Sequence, residues 1–188
     1  MRSIKFMSQY LVRPRTVGAI LPSSKYLSNK MLKQINFKDS NCIIEYGSGT
    51  GAFTNEILRR RKKKTTIILF EYNRSFYEIL KTSFKDEPNL FIINDSVEKI
   101  EYYLKDLNID TVDYIVSGLP FASLPIEMSN CILNKTTQIL DSNGVFITFQ
   151  YTKLKIPYIQ SFFTHIDVEK EYRNVPPAYI LSCKNSNF

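Results

Sequence analysis

Short apolar runs alternate along the chain with segments whose apolar residues recur at helical spacing. The runs are rich in Ile, Val and Phe and end in polar residues, which is typical of buried strands. They predict seven strands, at about 41–46, 65–70, 90–93, 112–116, 145–151, 165–172 and 178–184. The segments between them predict helices at about 53–63, 74–84, 97–106, 125–140 and 156–163. This alternation indicates an α/β fold, a doubly wound and mainly parallel sheet with helices on both faces.

Residues 1–36 precede the first strand and are predicted as a helical extension of a single domain over 1–188. A short helix is expected at 3–12, and a second, capped by Ser23 or Ser24, should run to about Ile35. The first helix is amphipathic, cationic and aromatic. It therefore suits either a membrane interface or packing on the core.

The net charge of +7 is unevenly distributed. Residues 1–38 hold eight Lys and Arg residues and no acid, and Arg59–Lys64 form a second basic block. Such asymmetry predicts an anionic partner, either nucleic acid or a membrane surface. The second block is equally compatible with a solvated helix end, where cations are favoured.

The sequence predicts neither a membrane span nor a metal site. No apolar run reaches the ~18 residues that a span needs, and polar residues interrupt any signal-peptide core. We therefore expect the protein in the cytoplasm, and we also expect a monomer. The three cysteines and the single histidine, His165, do not have the spacing of metal ligands.

Three alternating glycines, Gly47, Gly49 and Gly51, follow the first predicted strand and open a helix. Glycine permits the positive φ of such a turn and lets a ligand touch bare backbone. Glu45 lies two residues before the first glycine, at the carboxyl end of the strand. Open α/β sheets bind ligands at this edge, so the turn predicts a nucleotide-like ligand. By itself the spacing also satisfies the looser dinucleotide-binding fingerprint.

The fuller pattern Glu45-x-Gly47-x-Gly49-x-Gly51 resembles motif I of the class I S-adenosylmethionine-dependent methyltransferases. The resemblance implies a Rossmann-like methyltransferase fold with S-adenosylmethionine as its cofactor. Glu71, 20 residues beyond Gly51, would accept hydrogen bonds from the ribose hydroxyls. This also holds for an NAD enzyme, so Glu71 does not separate the two classes.

Two further strand ends carry candidate groups. Asp95, after the third strand, could accept a hydrogen bond from the adenine amino group. After the fourth strand, the run Ser117, Gly118, Leu119, Pro120 and Phe121 resembles motif IV of amino-group methyltransferases. Carbonyls at a proline-stiffened turn can orient the attacking amine, and an aromatic ring can stabilise the developing cation by ~1–2 kcal/mol.

The strand-four motif also suggests a family. Ribosomal RNA adenine dimethyltransferases usually have Asn-Leu-Pro-Tyr/Phe at this point, and Gly118 replaces the Asn here. The longer run 117–125 is more similar to the bacterial phospholipid N-methyltransferases, as are residues 13–24, the strand ending near 150–151, and residues 172–178. This resemblance implies methyl transfer to the amine of a phospholipid such as phosphatidylethanolamine.

In that family an N-terminal helix docks on anionic membrane, so the resemblance implies an enzyme that is peripherally membrane-associated. It also makes Tyr151 and Arg173 the candidates to hold the lipid phosphate.

Three other interpretations remain. The basic segments would suit an RNA adenine methyltransferase, although such enzymes append a helical RNA-binding domain and this chain ends at Phe188. A NAD-dependent oxidoreductase would need a catalytic set such as Tyr-x-x-x-Lys, which is missing from the expected helix. A non-enzymatic basic module is disfavoured by the complete glycine turn, by Glu71 and by Pro120-Phe121.

Overall fold

The computed structural model of the protein describes residues 25–185. The helix predicted at 3–12 and the segment 13–24 lie outside the described residues. The second predicted helix is present as α1, Lys25–Met31, and a 3₁₀ turn, Leu32–Gln34, continues toward the first strand.

Seven strands and five further helices follow in the predicted alternation. The strands are β1 Cys42–Tyr46, β2 Thr66–Phe70, β3 Leu90–Ile93, β4 Val112–Ser117, β5 Leu140–Gln150, β6 His165–Glu171 and β7 Ala178–Lys184. The helices are α2 Ala52–Arg60, α3 Arg74–Ser83, α4 Ile100–Asp106, α5 Ile126–Ile139 and α6 Ile156–Gln160. A 3₁₀ turn, Val97–Lys99, precedes α4.

The strands form one sheet in the order β3-β2-β1-β4-β5-β7-β6. The pairs from β3 to β5 are all parallel, and β7 runs antiparallel between β5 and β6. The chain order reverses direction between β1 and β4, which is where open α/β sheets bind ligands. The predicted doubly wound, mainly parallel sheet is confirmed.

The main local difference concerns 141–144, whose composition predicts a turn before the fifth strand. The structure includes them in β5, but the pairing with β4 jumps from Val112–Leu140 to Tyr114–Val145. The extra residues bulge out of the ladder, and Asp141 Oδ1 accepts the backbone N–H of Asn143 at 3.1 Å. A turn-forming composition is therefore accommodated as a bulge in a continuous strand.

Apolar residues of the sheet fill a core on each face. On one face, Tyr46, Phe70 and Phe146 pack against α4, α5 and α6. On the other, residues such as Ile43 and Ile67 pack against α1, α2 and α3. All five residues of β1 are buried because helices cover both faces of a central parallel strand.

The basic block Arg59–Lys64 covers the last two residues of α2 and the start of its connection to β2. It lies at the edge of the sheet opposite the carboxyl ends of the parallel strands. It is not a uniform cationic patch. Arg61 is buried and donates to the carbonyls of Thr65 and Pro88 and to the Glu87 carboxylate. Lys62 and Lys64 are exposed.

Cys42 and Cys183 are buried, free thiols, and burial raises the pKa of Cys42 to about 12. His165 is exposed at the start of β6, 3.2 Å from Asp167. Within residues 25–185, no helix combines the length and apolar character needed to cross a bilayer.

Candidate active site

The glycine turn and the strand-four loop leave the sheet side by side. Tyr46, the last residue of β1, is in register with Phe70 of β2 and with Ser117 of β4. The backbone N–H of Gly47 donates to the Phe70 carbonyl, and that of Gly118 donates to the Tyr46 carbonyl, both at 2.8 Å. The carboxyl ends of three neighbouring strands therefore form one continuous edge.

The three glycines serve different purposes in the turn. All three have positive φ: 69° at Gly47, 55° at Gly49 and 85° at Gly51, which caps α2. A Cβ at Gly51 would lie 3.0 Å from the Phe84 ring, so that position is also crowded. A Cβ at Gly49 would meet no atom within 4 Å. Gly49 therefore lies beside open space on the ligand edge of the sheet.

Glu71 ties the glycine turn to the end of β2. Its Oε2 accepts the backbone N–H of Gly49 at 2.7 Å, and its Oε1 accepts that of Asn73, also at 2.7 Å. Burial raises the pKa of this carboxyl even though both backbone hydrogen bonds oppose the shift. Each oxygen of a carboxylate has a second lone pair, so both can accept one more donor. The predicted role of Glu71 on a ribose stays a prediction.

Glu45 lies beneath the turn and is completely buried. Its Oε2 accepts the Thr54 hydroxyl of α2 at 2.7 Å. Burial raises the pKa of Glu45 to about 8, against the opposing effect of the Thr54 bond. Burial therefore favours the protonated form of this carboxyl. The buried Ser48 hydroxyl adjoins this carboxyl and, like the Thr54 hydroxyl, acts to lower its pKa.

The strand-four loop is held by its own backbone. The Ser117 hydroxyl is buried and accepts the N–H of Leu119 at 3.2 Å. The Pro120 carbonyl accepts the N–H of Ser123 at 2.8 Å and closes the next turn. A Cβ at Gly118 would lie only 2.9 Å from the carbonyl oxygen of Gly47. The close approach of the two loops thus explains why residue 118 is a glycine.

The predicted contact of the Phe121 ring with a substrate cation stays a prediction. The motif predicts a ring that faces a cationic substrate, but the side chain is fully buried. The ring packs edge-to-face on Phe146 with centroids 6.1 Å apart, within the core. Leu119 instead lies over the glycine turn, since its Cδ2 would be 3.0 Å from a Cβ at Gly47. The tight turn at Pro120 directs the following aromatic residue inward.

Asp95 lies at the end of β3, as predicted, and its oxygens are already hydrogen bonded. Oδ1 accepts the N–H of Ser96, and Oδ2 accepts both Lys99 Nζ and the Tyr103 hydroxyl at 2.9 Å. Burial acts to raise the pKa of Asp95, but the bonds from Lys99, Ser96 and Tyr103 outweigh it and lower the pKa. Its contact with an adenine amino group is untested and stays a prediction.

Tyr151 and Arg173 lie on the same sheet edge, farther from the glycine turn. Tyr151 follows β5, and Arg173 is in the β6–β7 loop. Four strand spacings of about 4.8 Å separate β1 from β6, roughly 19 Å in all. Arg173 donates a hydrogen bond to the Glu171 carboxylate, and this contact lowers the pKa of Glu171 to about 2. The guanidinium of Arg173 also lies 4.5 Å from the centroid of the Tyr26 ring. Their predicted contact with a lipid phosphate is untested.

Three supporting residues escaped sequence reasoning. Thr54 holds Glu45, and Tyr103 holds Asp95. Asn94 Nδ2 donates to the Glu71 carbonyl at 2.8 Å and so links the ends of β2 and β3. Their roles depend on contacts across elements, for which the sequence has no short-range signal. Within residues 25–185, no group of three or more His, Cys, Asp or Glu residues is arranged to bind a metal ion.

Comparison with known proteins finds methyltransferases that are named for two kinds of acceptor. Residues 14–156 match the model of the family described as ribosomal RNA adenine dimethylase. An ornithine lipid N-methyltransferase of Singulisphaera acidiphila is 27% identical over 182 residues, which covers 95% of this chain and 94% of that protein. A ribosomal RNA small subunit methyltransferase A of Mycoplasma capricolum is 35% identical over 136 residues, 69% of this chain and 47% of that protein.

The fold is shared with solved methyltransferases. A precorrin-6y C5,15-methyltransferase of Geobacter metallireducens superposes with a TM-score of 0.68 at 15% identity, covering 85% of this chain and 88% of that one. The chain spans about half the length of the ribosomal RNA methyltransferase that it matches, and nearly all of the lipid methyltransferase.

Proposed function

Since the chain belongs to the ribosomal RNA adenine dimethylase family and is an S-adenosylmethionine-dependent methyltransferase, we propose that it methylates the amine of a membrane lipid head group. The relative that aligns over nearly its whole length is named for that kind of acceptor, an ornithine lipid. The phosphatidylethanolamine expected from the sequence has an amine of the same chemical class. The shared chemistry is a primary aliphatic amine carried on a lipid.

The described residues fit the cofactor. The open space beside Gly49 leaves room for a ligand against bare backbone at the carboxyl edge of the sheet. Gly47, Gly49 and Gly51 would hold the methionine part, and Glu71 the ribose. When bound, S-adenosylmethionine supplies a methyl group on a positively charged sulfur that a nitrogen lone pair can attack.

The absence of a side chain at position 118 is the observation that favours a lipid amine over an adenine base as the acceptor. In the RNA adenine dimethyltransferases that the strand-four motif resembles, an Asn usually occupies this position and would hold the adenine amino group. In this chain a Cβ would collide with the Gly47 carbonyl oxygen at 2.9 Å, so the loop offers backbone at this point. Backbone carbonyls can orient a small amine for in-line attack, and such orientation can supply a large part of the reduction in activation free energy. They do not provide the side-chain hydrogen bonds that bind a flipped base.

RNA adenine methylation is the second candidate, because the family description and the Mycoplasma relative both name ribosomal RNA. Gly118 disfavours it for the reason just given. The position of Arg59–Lys64 also disfavours it, since that block lies at the sheet edge opposite the glycine turn. A phosphate backbone bound there would not lead a base to the strand-four loop.

Radiolabelled methyl transfer tests the proposal. The protein is offered phosphatidylethanolamine vesicles, ornithine lipid vesicles and unmodified ribosomal RNA in parallel, with labelled S-adenosylmethionine. We expect label in at least one of the two lipids and none in RNA. The first two arms identify the head group. Label in RNA and in neither lipid would replace the proposal with the second candidate.

A further inference from the structure

Two neighbouring loops and one helix residue form an exposed surface at the carboxyl edge of the sheet. The loops are residues 151–155, between β5 and α6, and residues 172–177, between β6 and β7. Gln150 pairs with Tyr179 and Glu171 with Ala178, so both loops leave the sheet at the same end. Tyr26 of α1 lies beside the second loop, because its ring contacts the guanidinium of Arg173. We call this the two-loop surface.

The tips of the two-loop surface are apolar and unusually exposed. Leu154 is 85% exposed, Val175 is 74% exposed and Tyr172 is 72% exposed. Tyr26 and Tyr151 are also exposed. Single exposed apolar residues are ordinary, but five from one helix and two adjacent loops form a group that water solvates poorly.

Cations alternate with these apolar tips. Lys153 and Lys170 flank the Tyr179 ring, with Nζ at 5.5 and 5.2 Å from its centroid, and Lys170 also lies 4.7 Å from Tyr172. Lys155 lies over Tyr158 at 5.0 Å. Neither 151–155 nor 172–177 contains an acid. The rings favour these positions of the three lysines, which lie in the first loop and near the end of β6. Arg173, the cation of the second loop, is paired with Glu171.

We infer that the two-loop surface docks on an anionic lipid bilayer, with Leu154 and Val175 inserted among the head groups. Aromatic and aliphatic residues beside Lys and Arg are the composition of a membrane-interface contact. The cations match the negative surface potential of such a bilayer. An RNA strand would contact the cations through its phosphates and the tyrosines through its bases, but it has no apolar region in which Leu154 and Val175 could be buried.

The inference rests on the proposed function and deepens it. The two-loop surface lies on the same sheet edge as the glycine turn and the strand-four loop. Docking by this surface would turn that edge toward the lipid head groups. An amine in the bilayer could then reach the strand-four loop without the lipid leaving the membrane entirely.

A single introduced tryptophan reports insertion, because the chain contains none. Leu154→Trp is compared in the full chain with Tyr102→Trp, which occupies an exposed site on α4, after the edge strand at the other end of the sheet. On phosphatidylglycerol vesicles we expect a blue shift, and quenching by brominated acyl chains, at position 154 alone. Vesicle binding without either change at 154, or no binding at all, would overturn the inference.

Matched charge reversals test the cations. Lys153→Glu with Lys155→Glu should weaken binding to phosphatidylglycerol vesicles by about tenfold or more. Lys62→Glu with Lys64→Glu makes the same charge change at the opposite sheet edge and should have a smaller effect. An equal loss in both pairs would show attraction by net charge alone, against the inference. Loss of ribosomal RNA binding with vesicle binding intact would assign the surface to nucleic acid instead.

Methylation of a soluble short-chain phosphatidylethanolamine separates the two proposals. Methylation of that lipid without insertion of the tryptophan reporter would leave the proposed function standing and remove the docking surface. Insertion of the reporter in Leu154→Trp with no methylation of any lipid would support the docking surface and remove the proposed function.

Discussion

The backbone N–H of Gly49 donates a hydrogen bond of 2.7 Å to Oε2 of Glu71, so the middle of the glycine turn is tied to the end of the neighbouring strand. The same carboxyl accepts the N–H of Asn73 through its other oxygen. One buried acid thus positions the turn and remains able to accept further donors. The turn and the acid form one unit.

Removing this acid should disrupt the turn as well as a ligand contact. Glu71→Ala leaves two backbone N–H groups without their acceptor, at a cost of about 1–3 kcal/mol each where they stay buried. We expect the affinity for S-adenosylmethionine, measured by calorimetry, to fall by more than tenfold. Glu78→Ala, an exposed acid on α3, is the control and should bind normally. Unchanged affinity in Glu71→Ala would refute the role of Glu71.

The different surroundings of Gly49 and Gly51 can be tested by matched substitutions. Gly49→Val places a side chain in open space, so folding should suffer only the cost of a left-handed φ, ~1–2 kcal/mol, while cofactor binding is lost. Gly51→Val has the same φ problem and also collides with Phe84, so its melting temperature should fall further. Calorimetry and thermal unfolding measure both effects. Normal cofactor affinity in folded Gly49→Val would move the ligand elsewhere.

Restoring the asparagine of the RNA enzymes should not restore their activity. Gly118→Asn brings a Cβ to within 2.9 Å of the Gly47 carbonyl oxygen, so the two loops must separate. Overpacking of this kind costs about 1–3 kcal/mol, and lipid methylation should fall with it. Gly144→Asn, another crowded glycine but in the β5 bulge, controls for strain away from the site. A Gly118→Asn variant of normal stability that methylates RNA would contradict the assignment.

Glu45 should make the protein less stable as the pH rises. A carboxyl whose pKa is raised from 4.5 to about 8 binds its proton more tightly when folded, so its contribution is complete below the unfolded pKa and is lost on approaching pH 8. Glu45→Gln removes this titration. Between about pH 5 and 8 its free energy of unfolding should decline less than that of the unchanged protein, by on the order of 1–3 kcal/mol.

Denaturant titrations at several pH values measure this difference. The raised pKa of Glu71 acts in the same direction in both proteins, and the two carboxyls repel each other when charged, so the difference includes their interaction. Parallel stability curves for the two proteins would show that Glu45 has an ordinary pKa.

Phe121 can be assigned to the core or to the substrate by two substitutions. Phe121→Ala removes a fully buried ring and should cost about 3–5 kcal/mol. Phe121→Leu keeps much of the volume but lacks the aromatic face, so it should cost less. If the ring serves the core alone, methylation by folded Phe121→Leu will be near normal. Loss of methylation in a Phe121→Leu variant of near-normal stability would show that the ring reaches the substrate cation.

The sequence by itself determined the order of strands and helices, because each element depends on a local period of apolar residues. It also located the glycine turn, Glu71, Asp95 and the strand-four loop at strand ends. In a parallel sheet those ends share one edge, so placing the strands was enough to bring the residues together.

Only the tertiary structure decided what these side chains contact. Arg61 belongs to a basic run, yet it is buried against the carbonyls of Thr65 and Pro88. From the sequence, Phe121 could point toward the substrate or toward the core. In the structure its ring is in the core, where it packs against Phe146. The two-loop surface exists because β7 lies between β5 and β6, which brings 151–155 next to 172–177. Such contacts join residues that are far apart in the chain. They depend on how the elements pack together, which a local pattern of apolar and polar residues does not specify.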